Sequence, residues 1–488
     1  MSMIQISELT FGYEGSYENV FENVNLRLDT DWRLGLTGRN GRGKTTLLKL
    51  LLGEYEYAGT IAASVDFTYF PRAVPDESLP TSEILENACP GAEEWRLLRE
   101  IKRLGLDESL LYRPFSTLSG GEQTKALLAA MFLNENAFLL IDEPTNHLDS
   151  EGREQISRYL NSKKGFILVS HDRAVLDGCT DHILSINKTD IEIQKGNFSA
   201  WLTDNERREA FEAAENERLK KEVRRLSEAA MTKSVWSEKT ERSKKGSFDK
   251  GYVGHKSAKL MKRAKTIETR ARNAAEEKSK LLKNTEFSGE LKLRPLSYRS
   301  PRLLSVQDIS VAYEDGFPVF GGLSFSVGRG ERIALTGRNG SGKSSLLKLI
   351  RGEAIPYRGS IEKGNDLKIS YVSQDTAELT GSVTDYAKRR GIDAGLFVTI
   401  LHKLDLTQAQ LEKNLEEFSG GQKKKALLAG SLCEEAHLYL WDEPMNFIDV
   451  ISRMQIEELL LKFQPTLLFV EHDRSFSEKI ATRTVTIG

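Results

Sequence analysis

The chain has 488 residues, 39% hydrophobic and 29% charged, which predicts several domains with buried cores and excludes a membrane-embedded protein, since no run approaches the roughly 20 apolar residues of a spanning helix. Its three cysteines, Cys89, Cys179 and Cys433, lack CxxC spacing, which excludes a disulfide framework and a cysteine zinc site and fits a reducing, cytoplasmic setting. The net charge of −2 conceals 23 Lys and Arg against 13 Asp and Glu between Asn205 and Thr285, +10 locally and −12 elsewhere, which points one segment at a polyanion and excludes a globally basic coat.

In chain order, Met1 to Thr10 shows no basic segment leading into an apolar one, so secretion is not expected. Trp32 to Gly38 (WRLGLTG) reads as a buried strand entering GRNGRGKT, Gly38 to Thr45, a GxxxxGK[ST] loop. There Gly38, Gly41 and Gly43 let backbone N–H groups converge on phosphates, with Asn40 and Thr46 alongside; Lys44 reaches the β/γ-phosphates and the Thr45 hydroxyl ligates Mg²⁺. The strand FTYFP is followed by Arg72, and the 47 residues from there to Ser119 leave room for a small arm. SGGEQ, Ser119 to Gln123, reads as a helix start, Ser119 capping while Gly120 and Gly121 expose the anion-binding amino-terminus. The strand AFLLID delivers Asp142 for Mg²⁺ and Glu143 to orient the attacking water of in-line phosphoryl transfer. The strand in GFILVSHD is followed by His171, whose place before Asp-Arg favours a functional role over a packed histidine.

From about Asn205 the composition changes to charged and alanine-rich. Leu219, Val223, Leu226 and Ala230 form one helical seam; Leu260, Ala264, Ile267, Ala271, Ala274 and Leu281 form another. A glycine-containing turn region between them implies an antiparallel hairpin, about 30 residues per helix and so roughly 45 Å long. Its tip, about 232–257, mixes Trp236, Lys244, Lys245, Phe248, Lys250 and Tyr252; the aromatics suit stacking on unpaired bases and the lysines suit phosphates.

Each motif then recurs 299 to 301 residues later, so the chain holds two copies of one domain. Gly337, Gly340, Gly342, Asn339, Lys343, Ser344 and Ser345 repeat the phosphate loop, Ser419, Gly420 and Gly421 the SGGQ-like helix start, Asp442 and Glu443 the acidic pair, and His472 the histidine. The expected architecture is α/β: two phosphate-loop domains, about 1–200 and 301–488, joined by a basic helical hairpin over about 201–300.

A phosphate loop, an SGGQ-like loop, a DEP box and a downstream histidine, present in both copies from end to end, resemble the ABC-type ATPases. The resemblance implies ATP and Mg²⁺ as ligands and a monomer whose halves sandwich ATP head to tail. Lys44, Glu143 and His171 would then face Ser419 across one ATP, and Lys343, Glu443 and His472 would face Ser119 across the other. It further implies Tyr13 and Tyr313 as adenine platforms, Asp149 and Asp449 as loops coupling the sites, and Gln374 as a Mg²⁺-sensing residue; Arg72 at the matching place in copy one departs from that pattern. Met445, Phe447 and Ile448 where copy one reads Thr145, His147 and Leu148 imply unequal sites.

With no membrane segment, TNHLD at Thr145 to Asp149 and a hairpin between the copies, the layout resembles the ABC-F subfamily. This implies binding at the ribosomal exit-tRNA site, where a +10 arm would meet 23S rRNA and peptidyl-tRNA. The tip length, the stretch Ile6 to Gly53 and WDEPMNFID (Trp441 to Asp449) are similar to the Lsa-type resistance group, implying displacement of lincosamides, pleuromutilins and streptogramin A from the peptidyl-transferase centre. Two other readings stay open: a housekeeping translation factor of the same subfamily, and an ATPase subunit energising a drug exporter.

Overall fold

Apolar runs without alternation, such as Phe166–Val169 and Leu467–Val470, are buried at every position, the signature of strands inside a parallel sheet covered by helices on both faces. The computed structural model describes residues 2–14, 19–146, 148–187, 191–208, 291–312, 318–338 and 340–487, with 210–212, 214–215, 217–218 and 221. It divides into two compact units, Met1–Ser199 with Ser288–Gly488, and Ala200–Phe287. Of the second unit, the described residues 200–208, 210–212, 214–215, 217–218 and 221 are helical; the expected hairpin otherwise lies outside the described residues, as do its six candidate tip residues Trp236, Lys244, Lys245, Phe248, Lys250 and Tyr252.

Within the first unit each half carries a three-stranded antiparallel sheet and a larger central sheet, and the second half adds a two-stranded pair. In the first half, β1 (Met3–Phe11), β2 (Phe21–Asp29) and β4 (Ala58–Ala62) form an antiparallel sheet ordered β2-β1-β4. The central sheet joins β3 (Arg33–Thr37), β5 (Asp66–Phe70), β6 (Ala137–Asp142), β7 (Phe166–Val169), β8 (His182–Ile186) and β9 (Ile191–Lys195) in the order β5-β6-β7-β3-β8-β9. Its strands are parallel except for the edge pair β8/β9.

The second half enters through β10 (Arg294–Pro295), which pairs with β16 (Glu435–Ala436). Its antiparallel sheet is β11 (Arg302–Ala312), β12 (Pro318–Gly328) and β14 (Tyr357–Lys363), ordered β12-β11-β14. Its parallel sheet runs β15-β17-β18-β13-β19, with β13 at Arg332–Thr336, β15 at Ile369–Val372, β17 at Leu438–Asp442, β18 at Leu467–Val470 and β19 at Arg483–Thr486.

The core explains why the phosphate loop is rigidly held. Helix Lys44–Leu51 turns Leu47, Leu48, Leu50 and Leu51 inward between the two sheets, against Ile6, Leu28, Leu36 and Ile167. Truncating a buried leucine such as Leu48 to alanine costs about 2–5 kcal/mol, because a cavity replaces the lost contacts. Since β6, β7 and β3 are neighbours, Asp142 at the end of β6, His171 beyond β7 and the loop beyond β3 converge at one sheet edge, where ligands of parallel α/β sheets collect. Among the described residues no helix is long and apolar enough to cross a membrane.

Candidate active sites

The phosphate loops owe their shape to glycine. Gly43 and Gly342 start their helices at φ +93° and +85°, and a Cβ would stand 2.6 Å from Val20 and Phe320 side-chain carbons respectively; only glycine combines that conformation with that closeness. Lys44 Nζ donates to the carbonyls of Gly38 (2.6 Å) and Arg39 (3.1 Å), and Lys343 Nζ to those of Gly337 (2.9 Å) and Arg338 (2.8 Å). Burial holds both ammonium groups below the usual lysine range, against the raising charges of Asp449 and Glu143 at Lys44 and of Glu443 and Asp442 at Lys343.

The acidic pairs are placed by strain as well as by strand ends. Glu143 and Glu443 adopt φ +52° and +48°, a costly region for a side chain of this size that persists where the surroundings over-determine it. Their N–H groups are fixed on the carbonyls of Val169 (2.9 Å) and Val470 (3.0 Å). His171 Nε2 stands 3.2 Å from Glu143 Oε1, and His472 Nε2 3.4 Å from Glu443 Oε1. Thr45 donates to Asp142 (2.9 Å) and Ser344 to Asp442 (3.1 Å). Asp442 Oδ2 is a buried oxygen without a hydrogen-bond partner. Two hydroxyl–carboxylate pairs at phosphate loops fit Mg²⁺, a hard cation that takes oxygen ligands and shares them with phosphates; among the described residues no cluster of three or more His, Cys, Asp or Glu competes as a metal site.

The electrostatics of the halves differ. Burial, reinforced by the Asp142 charge, pushes Glu143 up to about 8, and burial with the Lys44 and Arg453 charges takes His171 well below the usual histidine range. Burial would also raise Glu443, but the His472 hydrogen bond and charge, the Lys424 charge and the Gln374 amide hold it below the usual carboxylate range. Asp442 is pushed up to about 6 by burial, opposed by the Ser344 hydroxyl.

Both halves contribute to one cavity of about 420 Å³. Tyr13, Asn40, Gly41, Gly43, Lys44, Thr45, Thr46, Asp142, Glu143 and His171 line it from the first half, and Ser419 and Gly421 from the second. Ser419 caps helix Gly420–Cys433 through a reciprocal capping box with Gln422, so a helix amino-terminus with exposed donors sits at the phosphate loop of the other half. Asn40 Nδ2 donates to the Phe447 carbonyl at 2.9 Å, and Arg39 pairs with Asp405. Tyr13 is 45% exposed at the rim and bonds Thr46 through its hydroxyl at 2.7 Å.

The other site is built differently. Gly340, Gly342, Lys343, Ser344, Ser345, Gln374, Glu443 and His472 line a cavity of about 780 Å³, to which the first half adds Leu148 and Arg153. A smaller one of about 250 Å³ joins Gly337, Lys343 and His472 to Asp149, Ser150 and Glu151. Ser119, Gly120 and Gly121 line neither; like Ser419, Ser119 caps its own helix, bonded to Glu122. Asp449, expected in a loop coupling the sites, is fully buried and accepts from Lys425 at 2.9 Å, and its charge acts on Lys44 of the other half. Tyr313 and Asn339 lie outside the described residues. Sequence reasoning missed Arg39, Asp405, Lys424, Lys425 and Arg453. Lys425 and Arg453 repeat as Lys125 and Arg153, which is a signal in the sequence; Asp405 corresponds to Gly105 in the repeat and leaves none.

Two phosphate-loop folds that share cavities across their junction define a tandem-cassette ATPase. Residues 21–146 and 320–446 match the family described as ABC transporter. The chain is 30% identical to the ribosome protection protein VmlR of Bacillus subtilis, over all of this chain and 87% of that one. It is 28% identical to the putative ATP-binding protein YdiF of Bacillus subtilis (100% and 80% covered), and 29% to the ATP-binding protein Uup of Caulobacter vibrioides (96% and 74%). In fold it resembles the archaeal ribosome recycling factor aABCE1, solved with the stalk protein aP1, with a TM-score of 0.65 at 20% identity, covering 98% of this chain and 87% of that one. The chain belongs to the ABC transporter family, in its ABC-F group, and is an ATPase.

Proposed function

We propose that this ATPase is a ribosome protection protein, with cassettes at about 1–200 and 301–488 and a basic hairpin at about 201–300. The observation that carries the reading is the whole-chain similarity to a ribosome protection protein, supported by a +10 segment suited to RNA in a chain that is −12 elsewhere. The shared cavity of Lys44 and Ser419 supports a cycle in which ATP draws the halves together.

In that cycle Lys44 and Lys343 hold the phosphates, and the amino-terminus of helix Gly420–Cys433 binds phosphate from across the junction. Thr45 with Asp142, and Ser344 with Asp442 and Gln374, would hold Mg²⁺, which would supply charge neutralisation at the transferring phosphoryl group. Glu143 and Glu443 orient the attacking water, with His171 and His472 beside them. The closed form occupies the exit-tRNA site, the tip perturbs the drug site near 23S rRNA and peptidyl-tRNA, and hydrolysis reopens the protein for release. Translation in a cell-free system stalled by a lincosamide or pleuromutilin tests it: rescue supports protection, and ribosome binding without rescue favours a translation factor.

A further inference from the structure

The two sites differ beneath the glutamates as well as around them. Lys424, in helix Gly420–Cys433, is only 4% exposed, yet it lines the second cavity. It donates to two consecutive carbonyls, Ser373 at 3.0 Å and Gln374 at 2.7 Å. These residues lie just beyond β15 on a loop in which Gln374, Asp375, Ala377 and Glu378 are exposed. From that loop Gln374 Nε2 donates to Glu443 Oε2 at 2.9 Å, an oxygen that also accepts from Asn446 Nδ2 at 2.6 Å.

The repeat provides an internal control. Thr124 stands where Lys424 stands, and an exposed Arg72 where Gln374 stands. The first site therefore lacks the anchor and the anchored amide together. A buried lysine loses hydration and side-chain freedom, so its placement needs a compensating role; two carbonyl bonds to a single loop supply one, by removing that loop's freedom.

We infer that Lys424 is a positioning residue for hydrolysis at the second site: it pins the Ser373–Gln374 backbone so that the Gln374 amide holds Glu443 in place. The inference rests on the reading of Glu443 as the group that orients the attacking water. Loss of the pin lets the amide drift, and misplacement of about 1 Å at a reacting centre costs up to roughly 100-fold in rate. ATP affinity is set by Lys343 and the loop N–H groups, which Lys424 does not touch, so KM is spared.

The test is ATP turnover by the full chain carrying Glu143→Gln, which silences the first site. Lys424→Met should lower kcat at least about tenfold with KM changed less than about twofold, and Gln374→Ala, which also removes a proposed Mg²⁺ ligand, should lower kcat at least as much. The Lys424→Met/Gln374→Ala double variant should be no slower than Gln374→Ala alone, since both break the same link. Lys424→Thr, the residue of the other half, serves as a second variant should methionine impair folding, and should give the same losses. An unchanged kcat, a loss confined to KM, or losses that multiply in the double variant would overturn the inference. Glu443→Gln in the same background separates the two claims: if it leaves turnover intact, the underlying reading fails; if it abolishes turnover while Lys424→Met does not, only the inference fails.

Discussion

A contact away from the nucleotide sites gives a quantitative test of how the halves are joined. Arg173, at the start of helix Arg173–Cys179, makes a two-pronged hydrogen-bonded pair with Glu457 of helix Val450–Phe463 in the other half. Arg173 is 9% exposed and Glu457 fully buried. Removing one partner of a buried pair costs about 3–5 kcal/mol because the other charge stays buried. Glu457 keeps Lys479 at 3.0 Å, so Arg173→Ala falls at the low end, about 3 kcal/mol. At about 2–4 °C per kcal/mol for a domain of cassette size, the unfolding midpoint should fall by about 6–12 °C. The repeat supplies the control: Arg474 is the counterpart, but it is exposed and pairs with Glu478 on its own helix, while Ser157 stands where Glu457 stands. Scanning calorimetry should show no shift for Arg474→Ala, and Arg173→Ala/Glu457→Ala should recover part of the loss, as no uncompensated carboxylate remains. Equal midpoints for Arg173→Ala and Arg474→Ala would refute the reasoning.

Glu143 makes stability depend on pH. Its folded value of about 8 lies above the 4.5 of the free group, so the folded chain holds a proton that the unfolded chain releases. That contribution is fully present below about pH 4.5 and is lost as pH rises through about 8; across that range the unfolding midpoint should decline more in the parent protein than in Glu143→Gln, and parallel curves would contradict the burial argument. The Glu143→Gln/Glu443→Gln variant should bind ATP and sediment with ribosomes but fail to leave them; release at the parental rate would remove hydrolysis from the proposed cycle.

What was legible in the sequence was whatever repeats or ends a strand. The two cassettes follow from the constant offset between GRNGRGKT and GRNGSGKS, and Asp142, His171 and their counterparts announce themselves because apolar runs end on them. The serine caps at Ser119 and Ser419 were equally readable, since a helix start depends on local chemistry. Contacts between the halves were not. Arg173–Glu457 and Arg39–Asp405 join residues of different motifs, one partner of each unrepeated, so no spacing links them. Lys424 looked like one of three lysines in a row, Lys423 to Lys425, and only its burial sets it apart.

The central claim, ATP-driven protection of the ribosome, is tested most directly by cell-free translation on purified ribosomes stalled with lincomycin or tiamulin, with the protein and ATP added. The account predicts restored synthesis with the parent protein, no restoration when both phosphate-loop lysines, Lys44 and Lys343, are changed to Ala, and no requirement for membranes. Protein that binds these ribosomes and hydrolyses ATP yet leaves synthesis stalled would contradict it.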